Sequence, residues 1–319
     1  MKKVTVIGAG VIGLTTAIRL REAGFDARVF ARETGQNTTS AVAAAVWEPF
    51  AANPPDKIEK WCGRTYEILS KQAEDPASGV DAVDCRQLQR SANPSLPFWH
   101  KVVAHASFQK FDDVSSGGIT GEFRYRSYRA DMSIYLDYLQ KNYKALGGSI
   151  TIADFTALDQ AFSHTGIVVN CAGLGSGLLA NDPEIYPARG VVLLSRPKVA
   201  PDFILDADNP EGLAYIVPRR DCQVLGGTYE PHKTDMIATE QEVAAIFRRC
   251  CKLFPSLAQT RIETVKVGLR PSRSGIRLAL EKYQDGGLLI HNYGHGGSGV
   301  TVSWGCAEEV VTLLHEAGA

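Results

Sequence analysis

Three glycines near the start of the chain sit at the spacing G-x-G-x-x-G, in Gly8-Ala9-Gly10-Val11-Ile12-Gly13. At this spacing the first glycine permits a tight turn and the second lets a pyrophosphate approach the backbone. The third lets a helix pack closely on the preceding strand. A second glycine-rich stretch, with Gly294, Gly296, Gly297 and Gly299, lies near the other end. A glycine-rich turn at a helix start offers free N–H groups and partial positive charge to an anion. Two such turns fit one long ligand with charge or electron density at both ends. Between them, Arg270, Arg273 and Arg277 cluster among proline and glycine. Surface arginines are ordinarily solvated, but one held in a pocket could grip a carboxylate with two hydrogen bonds.

The elements that must position these residues follow from the apolar pattern. Residues 4–7 form a short β-branched run, read as a buried parallel strand. Leu14, Ala17 and Ile18 repeat at helical spacing up to Gly24, a helix stop, and residues 27–30 give a second strand. This strand–turn–helix–strand is the context a dinucleotide site requires. At the end of the second strand, Glu33 is a candidate acid for ribose hydroxyls. Arg32 could cover an adenine or meet a phosphate, including a 2′-phosphate, so it does not separate nicotinamide from flavin. Thr38, Thr39 and Ser40 then lead into Ala44, Ala45 and Val46. Two readings stand equal there: small side chains that let backbone amides approach a ligand, or a polar loop capping an alanine-rich helix.

Further along, helices are expected over 56–71, 131–146 and 241–254, each with an apolar stripe read as core packing. Residues 167–173 read as another buried strand, whose small-residue end would lie beside the first strand. Turn clusters fall at 93–97 and 115–118. The stretches 189–195, 213–218 and 223–229 read as antiparallel strands, the last two joined by a hairpin at Arg219-Arg220-Asp221. The expected fold is therefore α/β: a Rossmann-like dinucleotide-binding domain interleaved with a second, mainly antiparallel-sheet substrate domain. The boundaries expected are 1–50, 130–186 and 268–319 for the first, and 51–129 and 187–267 for the second.

Of the 319 residues, 45% are hydrophobic and 22% charged, with a net charge of −1. That is an ordinary globular composition with no electrostatic reason to bind nucleic acid or an anionic membrane. No run reaches the ~18 apolar residues of a membrane span. The N-terminal apolar run reads as a strand rather than a signal peptide, and no peroxisomal Ser-Lys-Leu ends the chain, so a cytoplasmic location is expected. Seven cysteines in no motif read as reduced, mostly buried thiols.

The chain resembles the D-amino-acid oxidase family of FAD enzymes. The residues that carry this are Gly8 to Gly13, Thr38-Thr-Ser40 with Ala44-Ala-Val-Trp47-Glu-Pro49, and Asn170-Cys-Ala-Gly173. To these add Gly268-Leu-Arg-Pro with Ile276-Arg277-Leu, and His291-Asn-Tyr-Gly-His-Gly-Gly297 through Trp304-Gly-Cys-Ala307. The resemblance implies FAD lying against residues 8–13, Arg32, Glu33, Thr38, Thr39, Ser40, Ala44, Ala45, Val46, Ile152, Ala172, Gly296, Gly299, Val300 and Thr301. It implies that Arg277 binds the substrate α-carboxylate with Tyr215, that Tyr229 is a second active-site tyrosine, and that the Gly297 carbonyl accepts from the substrate amine. The implied reaction is oxidative deamination of neutral D-amino acids by hydride transfer to flavin N5. Its products are imino and then keto acid, ammonia and hydrogen peroxide. No side-chain base is expected, and His291 and His295 are read as structural. The expected partners are a D-amino acid and O2, no nucleic acid and no membrane, with a homodimer as the assembly allowed for.

Two departures shape the expectation. Mammalian-type members carry a lid tyrosine four residues before the position of Tyr215, where Glu211 stands in a short 206–212 segment, so gated product release is not expected. D-aspartate-specific relatives place an arginine at the position of Tyr229, which argues for neutral substrates, with Arg219 and Arg220 nearby in sequence. Alternatives are a D-aspartate, glycine or sarcosine oxidase of the same fold, a nicotinamide dehydrogenase, and a flavin-bound module without turnover.

Overall fold

The computed structural model describes residues 1–50, 52–91, 93–94, 96–112 and 118–319. Most of the 115–118 turn cluster lies outside the described residues. The elements are β1 (Lys3–Ala9), α1 (Val11–Glu22), β2 (Asp26–Thr34), α2 (Pro55–Gln72), β3 (Val80–Gln89), β4 (Ala104–Lys110) and β5 (Gly121–Ala130). They continue with α3 (Met132–Ala145), β6 (Ile150–Ile152), α4 (Leu158–Phe162), β7 (Ile167–Asn170), α5 (Ser176–Leu179), β8 (Tyr186–Arg196), β9 (Phe203–Asp206), β10 (Ala214–Pro218) and β11 (Gln223–Gly226). The last are β12 (Glu230–Pro231), α6 (Glu240–Leu253), β13 (Arg261–Lys282), β14 (Leu288–His295) and α7 (Gly299–Glu316).

The described strands join in the order β4-β5-β3-β9-β10-β11-β8-β13-β14-β7-β1-β2-β6, with β12 added to β8. From β14 to β6 every pairing is parallel. That is the crossover region, where helices cover both faces of strands such as β1, whose Val4 and Val6 are fully buried. From β4 to β13 the pairings are antiparallel except β3 with β9. The expected mixed α/β fold with a large antiparallel sheet is the fold observed. The two regions share one strand. β13 pairs with β8 over residues 261–272, then with β14 from Arg277 onward, with a register shift between.

The helices follow their apolar stripes. Thr239 caps α6 through the Glu242 N–H, and Glu242 returns the bond to Thr239, a capping box. Asp131 caps α3. Tyr135 and Tyr143 of α3 are core residues with satisfied hydroxyls: Trp304 Nε1 donates to Tyr135 at 2.8 Å, Tyr135 donates to Gln72 at 2.9 Å, and Tyr143 donates to the Ala27 carbonyl at 2.8 Å. The alanine-rich stretch is not a helix. A short 3-10 turn over Thr39–Val42 gives way to extended chain bridged to β5 at Val46–Arg129. Helix α2 packs against α7, and the contact is close because Gly305 has no side chain. A Cβ there would stand 2.3 Å from the Trp61 carbonyl oxygen. Gly305→Ala should therefore destabilise despite alanine's better helix propensity, by roughly 1–3 kcal/mol, because overpacking outweighs propensity. Denaturant unfolding with wild type as reference measures this, and an equal or higher midpoint contradicts it.

Candidate active site

One cleft of about 700 Å³ runs along the C-terminal ends of the parallel strands and under the antiparallel sheet. Its first wall is the β1–α1 turn. Gly8 has φ +110, and a Cβ there would lie 2.4 Å from the Cys171 carbonyl oxygen just beyond β7. A Cβ at Gly13 would lie 1.9 Å from the Gly8 oxygen, so α1 can start only with glycine at that point. Gly10 meets the Ser40 hydroxyl, which accepts from the Val11 N–H at 3.0 Å. Neither α1 nor α7 has a side-chain N-cap, and Gly10, Val11, Ile12, Gly299 and Val300 all line the cleft. Apart from the Val11 N–H, which Ser40 takes, their first-turn N–H groups are thus left for a ligand. A long ligand with a diphosphate fits this double cradle.

Most of the residues expected along the cofactor come together here. Arg32, Glu33, Thr38, Thr39, Ser40, Ala44, Ala45, Val46, Ala172, Gly296, Gly299 and Val300 line the cleft with residues 8–12. Ala45 takes φ +58, a conformation costing about 1–2 kcal/mol, and its carbonyl is held by the Ala130 N–H at 2.8 Å. Three expected residues do not line the cleft. Ile152 is 66% exposed on the edge strand, and its neighbours Ala153 to Phe155 line the cleft instead. Gly13 acts by packing. Thr301 is buried, and its hydroxyl accepts from the Glu48 N–H at 3.1 Å and donates to the Glu48 carbonyl at 3.0 Å.

The three clustered arginines, among them the Arg277 expected to bind the carboxylate, differ in where they stand and what they pair with. Arg277 lies outside the cleft lining. It donates to Tyr293 at 2.7 Å and to Glu281 at 2.6 Å, with Asp182 at 3.3 Å. Arg273 is likewise committed to Asp182 and Glu184. Arg270 lines the cleft. It donates to the carbonyls of Thr228 at 3.1 Å and Arg189 at 3.3 Å, and has no acid partner among the described residues. Its guanidinium lies flat on Gly190, where a Cβ would fall 2.2 Å from Nη1. Tyr215 lines the same cleft, its ring on Gly226, where a Cβ would fall 1.9 Å from Cζ. Burial pushes the Tyr215 phenol up and the neighbouring Arg270 pulls it down, so at neutral pH it is protonated and can donate. Tyr229 stands behind Arg270, with the guanidinium carbon 5.7 Å from its ring centre, and packs on Phe50. It does not line the main cleft. Gly297 lines it, and a Cβ there would crowd Phe50 at 3.0 Å.

The histidines are structural. Burial lowers His295 to about 3, and its Nε2 lies 3.1 Å from Asn292 Oδ1. Burial, then the charge of Arg277, lowers His291. Arg219 is paired with Asp131 and Arg220 with Asp81, so neither supplies a second cation to the cleft. The short turn between β9 and β10 is held by the Asp206 side chain, which accepts from Asn209 at 2.9 Å and from Arg90. Glu211 on it pairs with Lys252, away from the cleft. Two cleft residues were not singled out from sequence. Glu48 and Phe50 sat unweighed in the Trp47-Glu-Pro-Phe50 run, although a carboxylate between two aromatics was the available signal.

Asp182 anchors the wall behind Tyr293. Burial alone would raise its carboxyl, but the Tyr293 hydroxyl, the Glu184 N–H and Arg273 hold it down at about 2. A depressed carboxyl contributes stability that is present above its unfolded value, near 4, and is lost as pH falls toward 2. Acid unfolding of wild type should show this loss between pH 4 and 2, and Asp182→Asn should lack that component. Parallel curves for the two proteins contradict it.

Among the described residues, no helix is long and apolar enough to cross a membrane, and no cluster of His, Cys, Asp and Glu could hold a metal ion. The sequence profile of the family described as FAD dependent oxidoreductase matches residues 3–313. The chain is 41% identical over 311 residues to a D-amino-acid oxidase of Rubrobacter xylanophilus, covering 98% of this chain and 95% of the relative. It is 34% identical over 334 residues to the Homo sapiens D-aspartate oxidase, at 98% and 95% coverage. Its fold matches a glycine oxidase structure from Geobacillus kaustophilus with a TM-score of 0.81, at 16% identity and 99% and 95% coverage. A diphosphate cradle between two uncapped helix starts, in a chain matched by this profile from end to end, makes the protein a member of the FAD dependent oxidoreductase family.

Proposed function

We propose that this protein is a D-amino-acid oxidase, converting neutral D-amino acids and O2 to imino acids, and by hydrolysis keto acids and ammonia, with hydrogen peroxide. The observation that carries this reading is Arg270, a guanidinium without an acid partner among the described residues, beside Tyr215 in the cleft that holds the FAD cradle. FAD would supply the hydride acceptor when bound, with residues 8–12, Arg32, Glu33, Thr38, Thr39, Ser40, 44–46, Ala172, Gly296, Gly299 and Val300 as its contacts. Arg270 holds the α-carboxylate by a two-pronged ion pair, and Tyr215 donates to the same carboxylate. The Gly297 carbonyl accepts from the amine. Tyr229 and Phe50 fix the Arg270 guanidinium from behind. No group of the chain need take a proton from Cα, since that hydrogen leaves with its electron pair, and His295 is buried against Asn292. Catalysis rests on positioning.

The side-chain wall is apolar, with Val192, Phe203, Leu205, Leu213 and Val217. That favours neutral side chains, and the absence of another unpaired cation in the described wall disfavours D-aspartate. The FAD-binding unit is assigned to 1–50, 130–186 and 268–319, and the substrate unit to 51–129 and 187–267. The change from parallel to antiparallel pairing around β13 supports this division.

Two arginine variants test the assignment. Arg270→Ala should lower kcat/KM for D-valine on the order of 10³-fold, the equivalent of two hydrogen bonds to a charged group. Arg277→Ala should lower it far less. Peroxide release measured for both decides the matter, and the reverse ranking would return the carboxylate to Arg277.

A further inference from the structure

Glu48 is a half-buried acid that the reaction above does not use. Its backbone is fixed at both polar atoms by Thr301, and two residues on the Phe50 carbonyl accepts from Ser298 at 2.7 Å. The carboxyl therefore has a set position in the cleft wall, in the same lining as Arg270 and the apolar residues Val192, Phe203, Leu205, Leu213 and Val217. One oxygen, Oε2, accepts from the hydroxyl of Tyr125, which is buried among Trp99 and Phe123. The other, Oε1, has no partner among the described residues and is not among the sealed polar atoms, so it opens to the cleft that Glu48 lines.

The groups facing the carboxyl are neutral. They are Tyr125 of β5, Cys85 of β3 and Cys62 of α2. No ion pair is made to Glu48 by any described residue, and Arg270 is not among the groups that shift it. Burial raises the carboxyl to about 7, and the Tyr125 hydrogen bond only partly opposes this. A cleft with an unpaired guanidinium at one point and an unpaired carboxyl at another suits a ligand carrying a carboxylate and a remote cation.

We propose that Glu48 is a specificity-determining residue that receives, on Oε1, the terminal ammonium of D-amino acids with basic side chains such as D-lysine, while Arg270 holds the α-carboxylate. This rests on the D-amino-acid oxidase reading. The apolar wall accepts the methylenes of such a side chain, and the ionised carboxyl accepts its end. The same charge repels D-aspartate.

D-lysine and D-norleucine test it, since D-norleucine has the same aliphatic stem without the ammonium. Their α-amino groups titrate alike, so that effect cancels in the ratio of kcat/KM values. For a carboxyl half-ionised near pH 7, the D-lysine to D-norleucine ratio in wild type should rise roughly tenfold from pH 6 to 8 and then level off. In Glu48→Gln the ratio should be low and flat across the same range. A flat ratio in wild type overturns the proposal without need of the variant, as does a rise that survives Glu48→Gln. If wild type oxidises neither compound, the oxidase reading itself fails, and the proposal with it. Active D-norleucine turnover with a flat ratio overturns the proposal alone.

Discussion

Strand β13 is hydrogen-bonded to β8 on one side and to β14 on the other, and this single backbone ladder sets the distance between the two halves of the site. On the stretch paired with β8 it carries Arg270. Through Ser272 and from Arg277 onward it pairs with the strand that leads into the Gly296–Ser298 turn and α7. Arg270 and the nucleotide cradle therefore cannot drift apart without breaking a continuous sheet. A site placed on rigid strands in this way needs no moving part to assemble, and the pinned, short β9–β10 turn agrees with that.

Charge bookkeeping then explains why one arginine of the trio is available. Arg273 and Arg277 are consumed by Asp182, Glu184 and Glu281, and Arg189 is fully buried against Glu230, Asp235 and Glu242. Among the described residues Arg270 meets carbonyls, the Tyr215 hydroxyl and an aromatic face, and no acid. A cation left in that condition within a cleft is stabilised most by an incoming anion. Small residues make the arrangement possible. Gly190 lets the guanidinium lie flat and Gly226 lets the Tyr215 ring do so, and a methyl group at either position would occupy the space of the functional side chain.

Much of this was legible in the sequence because the relevant forces are local. The glycine spacing, the buried β-branched strand and the helical stripe of residues 4–18 specify their own geometry, as do the apolar stripes of α3 and α6. The family resemblance carried the cofactor and the reaction class. What sequence could not settle was which arginine faces the cleft. Arg270 and Arg277 sit on one long strand, and the register shift between them is set by how β8 and β14 pair. Only the acid partners, drawn from positions as distant as Asp182, separate the two.

The account is tested most directly by the visible spectrum of the purified, FAD-reconstituted protein without oxygen, recorded before and after D-alanine and then L-alanine. A yellow protein bleached by the D-form alone is the predicted result, since it requires the cradle, the clamp and their relative orientation together. A yellow protein bleached by neither, or by the L-form, contradicts the assigned substrate geometry, and a protein that cannot be reconstituted with FAD contradicts the cradle.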